Sequence, residues 1–142
     1  MPLWNVYHPV GVYSDQEKRE FSEKVAGFYE SRGLPRFYVM TLFREVDRGS
    51  FYVGGEPADN TVRIAIDHIA RQAGDAARRE ETRKRIAAII EPFASAKGLH
   101  WEYHVDHTPN DLWMIEGFVP PPANSDGERL WAKENSAVPY GD

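Results

Sequence analysis

The chain of 142 residues contains no cysteine. A chain without cysteine cannot form disulfides, thiolate zinc sites or iron–sulfur clusters, and it has no cysteine nucleophile. Long apolar runs are missing as well, since no segment approaches the ~18 consecutive apolar residues that a membrane-spanning helix needs. The amino-terminal region also lacks a basic stretch followed by an apolar run, the pattern of a secretory signal. We therefore expect a cytoplasmic protein with no membrane partner.

Excess positive charge is absent too. The chain has 17 lysines and arginines against 22 aspartates and glutamates, a formal net charge of −5. An acidic chain is poorly suited to sequence-independent binding of phosphate backbones, so no nucleic-acid partner is expected. One basic stretch runs from Arg71 to Arg85, but Asp75, Glu80 and Glu81 dilute it, and it is typical of a solvated helix face.

The first half of the chain predicts a strand, a helix and a second strand. Residues 3–8 are an aromatic and β-branched run that is typical of a strand. Ser14 and Glu17 have the spacing of a capping box at a helix start, and Gly33 marks the end of that helix. Residues 37–43 are nearly all apolar and predict the second strand.

The second half repeats this order after a short strand predicted at residues 51–53. Residues 61–67 alternate between apolar and polar and predict a half-buried strand. A helix is predicted to open at Asp75 and to be interrupted by Pro92. Residues 101–105 alternate again and predict the last strand.

Two β-α-β units therefore follow each other within a single domain over residues 1–142, at 2–55 and 61–118, with a proline-rich tail at 119–142. Each crossover is expected to join two parallel strands. The resulting fold class is α+β, a four-stranded sheet with two helices on one face. Apolar residues on the opposite face predict a homo-oligomer. The tail, anchored only by Trp131, is expected on the surface or across a neighbouring subunit.

Pro2 has the most distinctive chemistry in the sequence. Removal of Met1 would leave a free secondary amine, and α-amino groups titrate near ~7.7–8.0 in model peptides. An apolar pocket and a nearby arginine would both lower the pKa of this amine toward neutrality, which makes Pro2 a candidate base. If Met1 stays attached, the nitrogen of Pro2 is an amide and cannot act as a base. The intact mass of the protein distinguishes the two cases.

With Pro2 heading a strand and the doubled β-α-β order, the chain resembles the tautomerase superfamily, and within it the cis-3-chloroacrylic acid dehalogenase group. The resemblance covers residues 2–118 and includes the segments Phe43-Arg44-Glu45, Val53-Gly54-Gly55 and Trp101-Glu102-Tyr103. It implies a homotrimer without a cofactor that acts on a small carboxylic acid. The implied chemistry is keto–enol tautomerisation of 2-oxo acids, or hydration and dehalogenation of 3-substituted acrylates.

The resemblance also implies roles for four residues. Pro2 matches the catalytic proline. Arg71 matches the first of two arginines that grip the substrate carboxylate, a task that suits the two parallel hydrogen bonds of a guanidinium. Tyr103 matches a tyrosine that positions substrate or water. Glu116 aligns, after a one-residue gap, with a water-activating glutamate.

Two positions depart from the family pattern. Gly74 stands in the place of the second arginine, and Tyr29 stands in the place of a histidine near the end of the first helix. Both changes weaken the expected grip on an acrylate and favour a tautomerase over a dehalogenase. Tyr29 remains a candidate substrate-binding residue, and His68 and Arg63, at either end of the third main strand, are candidates to compensate.

Two other functions remain open on the sequence. A dimeric ferredoxin-like α/β-barrel protein also runs through two β-α-β-like halves, and a non-catalytic interaction protein could use the tautomerase scaffold with a decayed pocket. A metal site is not expected, although His68, His100, His104 and His107 are close in sequence. Strand alternation places His100 and His104 on a polar face opposite the apolar residues, which is typical of a solvated or interfacial surface.

Overall fold

The structure, a computed structural model, describes residues 1–69, 71 and 74–141. Its regular elements are, in chain order, β1 (Leu3–Pro9), α1 (Asp15–Glu30), β2 (Met40–Val46), β3 (Tyr52–Val53), β4 (Glu56–Pro57), β5 (Thr61–His68), α2 (Ala76–Ile90), β6 (His100–His107) and α3 (Asp126–Glu134). Within these ranges no helix is long and apolar enough to cross a membrane.

Four strands form one mixed sheet in the order β2-β1-β5-β6. β1 runs parallel to β2, and β5 runs parallel to β6, so each β-α-β unit supplies one parallel pair. The two pairs meet through antiparallel pairing of β1 with β5, in which Leu3 is opposite Asp67 and Trp4 is opposite Ile66. The predicted α+β fold with a four-stranded sheet is confirmed.

The core lies between this sheet and α1 and α2. The even-numbered residues of β1 and β5 are buried, and the ring centroids of Trp4 and Phe21 on α1 lie 5.8 Å apart. The predicted capping box starts α1, because Glu17 N donates to Ser14 Oγ at 3.1 Å and Ser14 N donates to Glu17 Oε1 at 3.3 Å. This cap satisfies backbone groups that the helix itself leaves unpaired.

Proline residues set the bounds of two elements. α2 ends at Ile90, close to Pro92, which lies in the 3₁₀ turn that follows, as the sequence predicts. The strand predicted over residues 37–43 begins only at Met40. The reason is Pro35, which starts a 3₁₀ turn in which Tyr38 N donates to the Pro35 carbonyl at 3.1 Å.

The short strand predicted near residue 52 has a partner that the sequence analysis did not identify. β3 pairs with β4 in a two-residue hairpin. Its central residues, Gly54 and Gly55, have φ of 59° and 84°, values that a two-residue hairpin of this type requires and that glycine adopts without strain.

The carboxyl-terminal tail contains a helix that the sequence analysis did not predict. Ser125 caps α3 by accepting a hydrogen bond from Glu128 N at 3.2 Å. Trp131 of α3 is fully buried, and its ring packs against Phe37 and Tyr38. Its indole nitrogen donates to the Val138 carbonyl at 2.6 Å. The tail is therefore part of the hydrophobic core.

We predict that Trp131→Ala lowers the free energy of unfolding by about 3–5 kcal/mol, because it empties a fully buried aromatic site. Urea denaturation measures the change. Leu130→Ala is the matched control, since Leu130 is the neighbouring residue of α3 and is 36% exposed. It should cost no more than about 0.5 kcal/mol. Equal small losses for both variants would contradict the packing of α3 on the core.

Candidate active site

A cavity of about 560 Å³ lies where β1 begins and where β5 and β6 end. Because β1 and β5 are antiparallel, the start of the first strand is next to the end of the other. Pro2 and His68 therefore line the same cavity. The last turn of α1 adds Tyr29, and α2 adds Thr82 and Ile86. Both halves of the chain contribute to this one site.

Pro2 is fully buried in the wall of the cavity. Its carbonyl accepts a hydrogen bond from Met40 N at 2.9 Å, which fixes it at the start of β2. Burial, and secondly the positive charge of Arg71, lower the pKa of the amino terminus on Met1 to about 4, while the charge of Glu128 opposes this shift. The surroundings at this end of the chain therefore favour a neutral, proton-accepting amine.

Tyr29 and His68 form a hydrogen-bonded pair on the wall that Pro2 shares. Tyr29 Oη lies 2.5 Å from His68 Nε2 and accepts a hydrogen bond from Trp4 Nε1 at 2.9 Å. An indole nitrogen can only donate, so Tyr29 Oη is the acceptor in its bond with Trp4, and it still has a proton and a lone pair with which to pair with His68. Burial, followed by the charges of His107 and the amino terminus, lowers the pKa of His68 to about 4. His68 is therefore neutral at neutral pH.

Arg71 also lines the cavity, and its guanidinium is paired with a carboxylate of α3. Arg71 Nη2 lies 2.6 Å from Glu128 Oε1, and Nη1 lies 3.4 Å from Oε2. Glu128 is 2% exposed and also accepts a hydrogen bond from Asn124 N at 2.8 Å. This two-point ion pair connects the cavity to the tail. The sequence analysis missed Glu128, although Ser125 and Glu128 have the capping-box spacing that marks a helix start.

Five of the candidate residues line the cavity, namely Pro2, Tyr29, His68, Arg71 and Tyr103. Tyr103 Oη donates to the carbonyl of Arg83 at 3.1 Å, and burial raises the pKa of Tyr103. Its hydroxyl is therefore a neutral group that α2 holds in place.

Glu116 and Arg63 are not among the residues that line the cavity. Glu116, with φ of 50°, is the first central residue of an exposed two-residue turn that Ile115 and Phe118 close through paired backbone hydrogen bonds. Arg63 lies on the face of β5 that points away from the helices. Its Nη2 lies 2.6 Å from His104 Nδ1, in a polar cluster on the open side of the sheet.

The cavity has a strongly cationic lining that sequence reasoning did not assemble. The described residues around it include four arginines, Arg32, Arg71, Arg79 and Arg83, and no aspartate or glutamate. Such a lining attracts an anionic ligand even in a chain with a net negative charge. Among the described residues, no group of three or more His, Cys, Asp or Glu side chains could hold a metal ion.

Comparison with protein families gives one match that spans almost the whole chain. Residues 1–136 match the family described as "Putative oxalocrotonate tautomerase enzyme". No curated protein sequence is similar to this chain.

Solved structures include relatives that match this chain over nearly its whole length. RhCC from Rhodococcus jostii RHA1 is 42% identical, with 97% of this chain and 99% of RhCC covered and a TM-score of 0.94. A probable enzyme from the thermophilic fungus Aspergillus fumigatus, AU4130/APC7354, is 37% identical, with 99% and 98% covered and a TM-score of 0.94. N1, a member of the cis-3-chloroacrylic acid dehalogenase family, shares the fold at 17% identity, with 94% and 97% covered and a TM-score of 0.72.

We predict that His68 makes the stability of the protein sensitive to acid. The pKa of His68 is about 4 in the folded chain and near its ordinary value of about 6.5 in the unfolded chain, so between these values only the unfolded state binds the proton. The free energy of unfolding should therefore fall as the pH drops from about 6.5 to 4, by on the order of 3 kcal/mol.

Urea denaturation at several pH values tests this, with His68→Gln as the variant and His100→Gln, at an exposed position of β6, as the control. His68→Gln should lack this part of the pH dependence, whereas His100→Gln should keep it. Equal pH dependence in all three proteins would contradict a neutral His68, as would an NMR titration of its ring near pH 6.5.

Proposed function

Since the chain belongs to the tautomerase family that it matches over residues 1–136, we propose that it is a cofactor-independent tautomerase of small 2-oxo or unsaturated carboxylic acids, with the amino-terminal nitrogen of Pro2 as its acid and base. The observation that carries the proposal is the position of Pro2. It is buried in a cavity whose described lining contains four arginines and no carboxylate.

The buried amine supplies the base. After removal of Met1, Pro2 carries a secondary amine in an environment that disfavours its protonated form, as the lowered pKa of the amino terminus on Met1 indicates. A neutral amine can take the proton from the carbon next to the carbonyl of a 2-oxo acid. The electron pair of the broken C–H bond then forms the enolate, with its charge on the carbonyl oxygen. Return of a proton to that oxygen completes the reaction.

The arginines stabilise the charges of this reaction. The substrate carboxylate and the enolate oxygen are both negative, and partial exclusion of bulk water from a cavity strengthens their attraction to guanidinium groups. Hydration or dehalogenation would also need a group that activates water. Glu116, the candidate for that task, lies in an exposed turn outside the cavity of one chain, which favours tautomerisation.

The proposal includes assembly into a homotrimer. The open face of the sheet exposes Tyr7, Met40 and Leu42 to 36%, 47% and 39%, beside polar residues such as Arg63. Exposed apolar side chains on an open sheet face are typical of an interface between proteins. R7, a fused 4-OT with 20% identity and a TM-score of 0.64, is an asymmetric trimer.

We predict a trimer in solution, with a mass three times the 16.2 kDa of the chain by light scattering. Leu42→Glu should dissociate it, because the change places a charge at an exposed apolar position of the open sheet face. Val53→Glu is the matched control, since Val53 is also exposed, at 53%, but lies on the separate β3–β4 hairpin. A dimer, or a trimer unaffected by Leu42→Glu, would contradict the proposed interface.

The Pro2 assignment predicts covalent labelling by 2-oxo-3-pentynoate, a carboxylate electrophile that inactivates the structural neighbour Pt0534, which shares 14% identity and a TM-score of 0.64. Addition of the amine to the alkyne has no leaving group, so the mass should rise by the whole reagent. Peptide mass spectrometry should locate the label on Pro2 in protein that lacks Met1. A label elsewhere, or none, would support a non-catalytic protein on this scaffold.

In protein prepared in the same way, the substitution Pro2→Ala should lower kcat/KM for phenylenolpyruvate by about 10²–10⁴-fold, which is the usual contribution of a positioned acid–base group. Pro9→Ala is the matched control, because Pro9 lies at the opposite end of β1. It should retain most of the activity. Undiminished turnover by Pro2→Ala would refute the assignment.

A further inference from the structure

The guanidinium that the family pattern assigns to the substrate carboxylate already binds a carboxylate of this chain. Glu128 faces Arg71 with both oxygens, at 2.6 and 3.4 Å, and is almost fully buried. A substrate that displaced Glu128 would leave a buried negative charge without its partner, which is strongly unfavourable. The carboxylate of Glu128 therefore occupies the position in which a substrate carboxylate would form two hydrogen bonds with the guanidinium of Arg71.

Arg32 is a second guanidinium on the cavity wall, and it is held in a fixed orientation. It lies two residues after the end of α1. Its Nη2 donates to Thr82 Oγ1 on α2 at 3.1 Å, and its guanidinium carbon lies 4.5 Å from the ring centroid of Phe28. A hydrogen bond at one nitrogen and stacking on an aromatic ring leave the remaining N–H groups of the fork available for an anion.

The charge of Arg32 lacks a carboxylate partner among the residues that the structure describes, where none lies within 4.0 Å of its nitrogens. Burial, and secondly the charge of Arg85, lower the pKa of Arg32, while the charges of Glu81 and Tyr29 act in the opposite direction. A partly desolvated guanidinium beside a like charge is an unfavourable arrangement that a bound anion would relieve.

The position of Arg32 also suits a ligand that must reach Pro2. The charge of Arg32 contributes to lowering the pKa of His68, so it acts on the hydrogen-bonded pair that shares the cavity wall with Pro2. Arg32 and Pro2 line the same cavity, so a small 2-oxo acid bound to Arg32 through its carboxylate would share that cavity with the amine.

We propose that Arg32 holds the substrate carboxylate, and that Glu128 fixes Arg71 as a positive charge beside the amino terminus instead of as the carboxylate grip. The ligand class rests on the proposed function, a small 2-oxo acid. The assignment of Arg32 rests on its own geometry, so this assignment and the proposed function can fail separately. Arg71 is then a positioning residue that acts on the pKa of the amine.

Equilibrium binding tests the proposal without any need for turnover. Titration calorimetry compares 3-phenylpropionate, a carboxylate that cannot tautomerise, with the neutral 3-phenylpropionamide of the same shape. Arg32→Gln should weaken binding of the carboxylate by about 10–100-fold, the usual worth of hydrogen bonds to a charged group, and leave binding of the amide unchanged. Arg32→Lys, which keeps the charge but loses the fork, should lie between Arg32→Gln and wild type.

Arg85→Gln is the matched control, because Arg85 stacks on the same Phe28 ring at 4.9 Å but does not line the cavity. It should bind the carboxylate within about twofold of wild type. The double variant Arg71→Gln with Glu128→Gln removes both members of the buried pair, so it leaves no lone charge to disturb folding. It should also bind the carboxylate nearly as well as wild type, while its kcat/KM–pH profile shifts.

Two results would overturn the proposal. One is normal carboxylate binding by Arg32→Gln together with a large loss in the double variant, which would assign the carboxylate to Arg71. The other is a wild-type protein that does not prefer the carboxylate to the amide. In either case, labelling of Pro2 by 2-oxo-3-pentynoate separately decides whether the proposed function survives. Conversely, Pro2 could remain unlabelled while the preference for the carboxylate still depends on Arg32. That result would support Arg32 as the carboxylate site of a binding protein without the proposed catalysis.

Discussion

The site depends on the antiparallel pairing of β1 with β5. Each β-α-β unit could form a parallel pair alone, but only this central pairing places the start of β1 beside the end of β5, with Leu3 opposite Asp67. Pro2 and His68 consequently line the same cavity although they are 66 positions apart in sequence. The same pairing buries Trp4 next to α1. There the indole of Trp4 donates a hydrogen bond to Tyr29 and orients its hydroxyl. Pro2, His68 and Tyr29 are all positioned by this one strand contact.

The second constraint is the ion pair between Arg71 and Glu128, which connects the tail to this site. Because α3 packs on the core through Trp131, the carboxylate of Glu128 is held against the Arg71 guanidinium. The two charges act on the amino terminus with opposite signs, and burial and Arg71 together prevail, so its pKa remains low. The tail thereby contributes to the chemistry of the site as well as to the core.

The features that were predictable from sequence are local ones. The capping box of Ser14 and Glu17, the break near Pro92 and the alternation of β5 each depend on contacts within a few residues, and the structure contains all three. Ser125 and Glu128 carry the same capping signal and could have been found. The pairing of Glu128 with Arg71 could not, because it joins residues 57 positions apart. Which of several arginines is neutralised is a property of the tertiary fold.

The structure shows the local surroundings of the two positions that depart from the family pattern, Gly74 and Tyr29. Gly74 has φ of 71°, and a Cβ there would lie 3.0 Å from Cδ of Arg78, so an arginine at this position would be strained in this backbone. Tyr29 replaces a histidine, yet its hydroxyl binds His68, which returns an imidazole to the cavity from another strand. With glycine at position 74 and the guanidinium of Arg71 paired with Glu128, an anion in the cavity depends on the other arginines that line it, Arg32, Arg79 and Arg83. Arg32, anchored by Thr82 and Phe28, is available for that role because α1 and α2 pack side by side over the cavity.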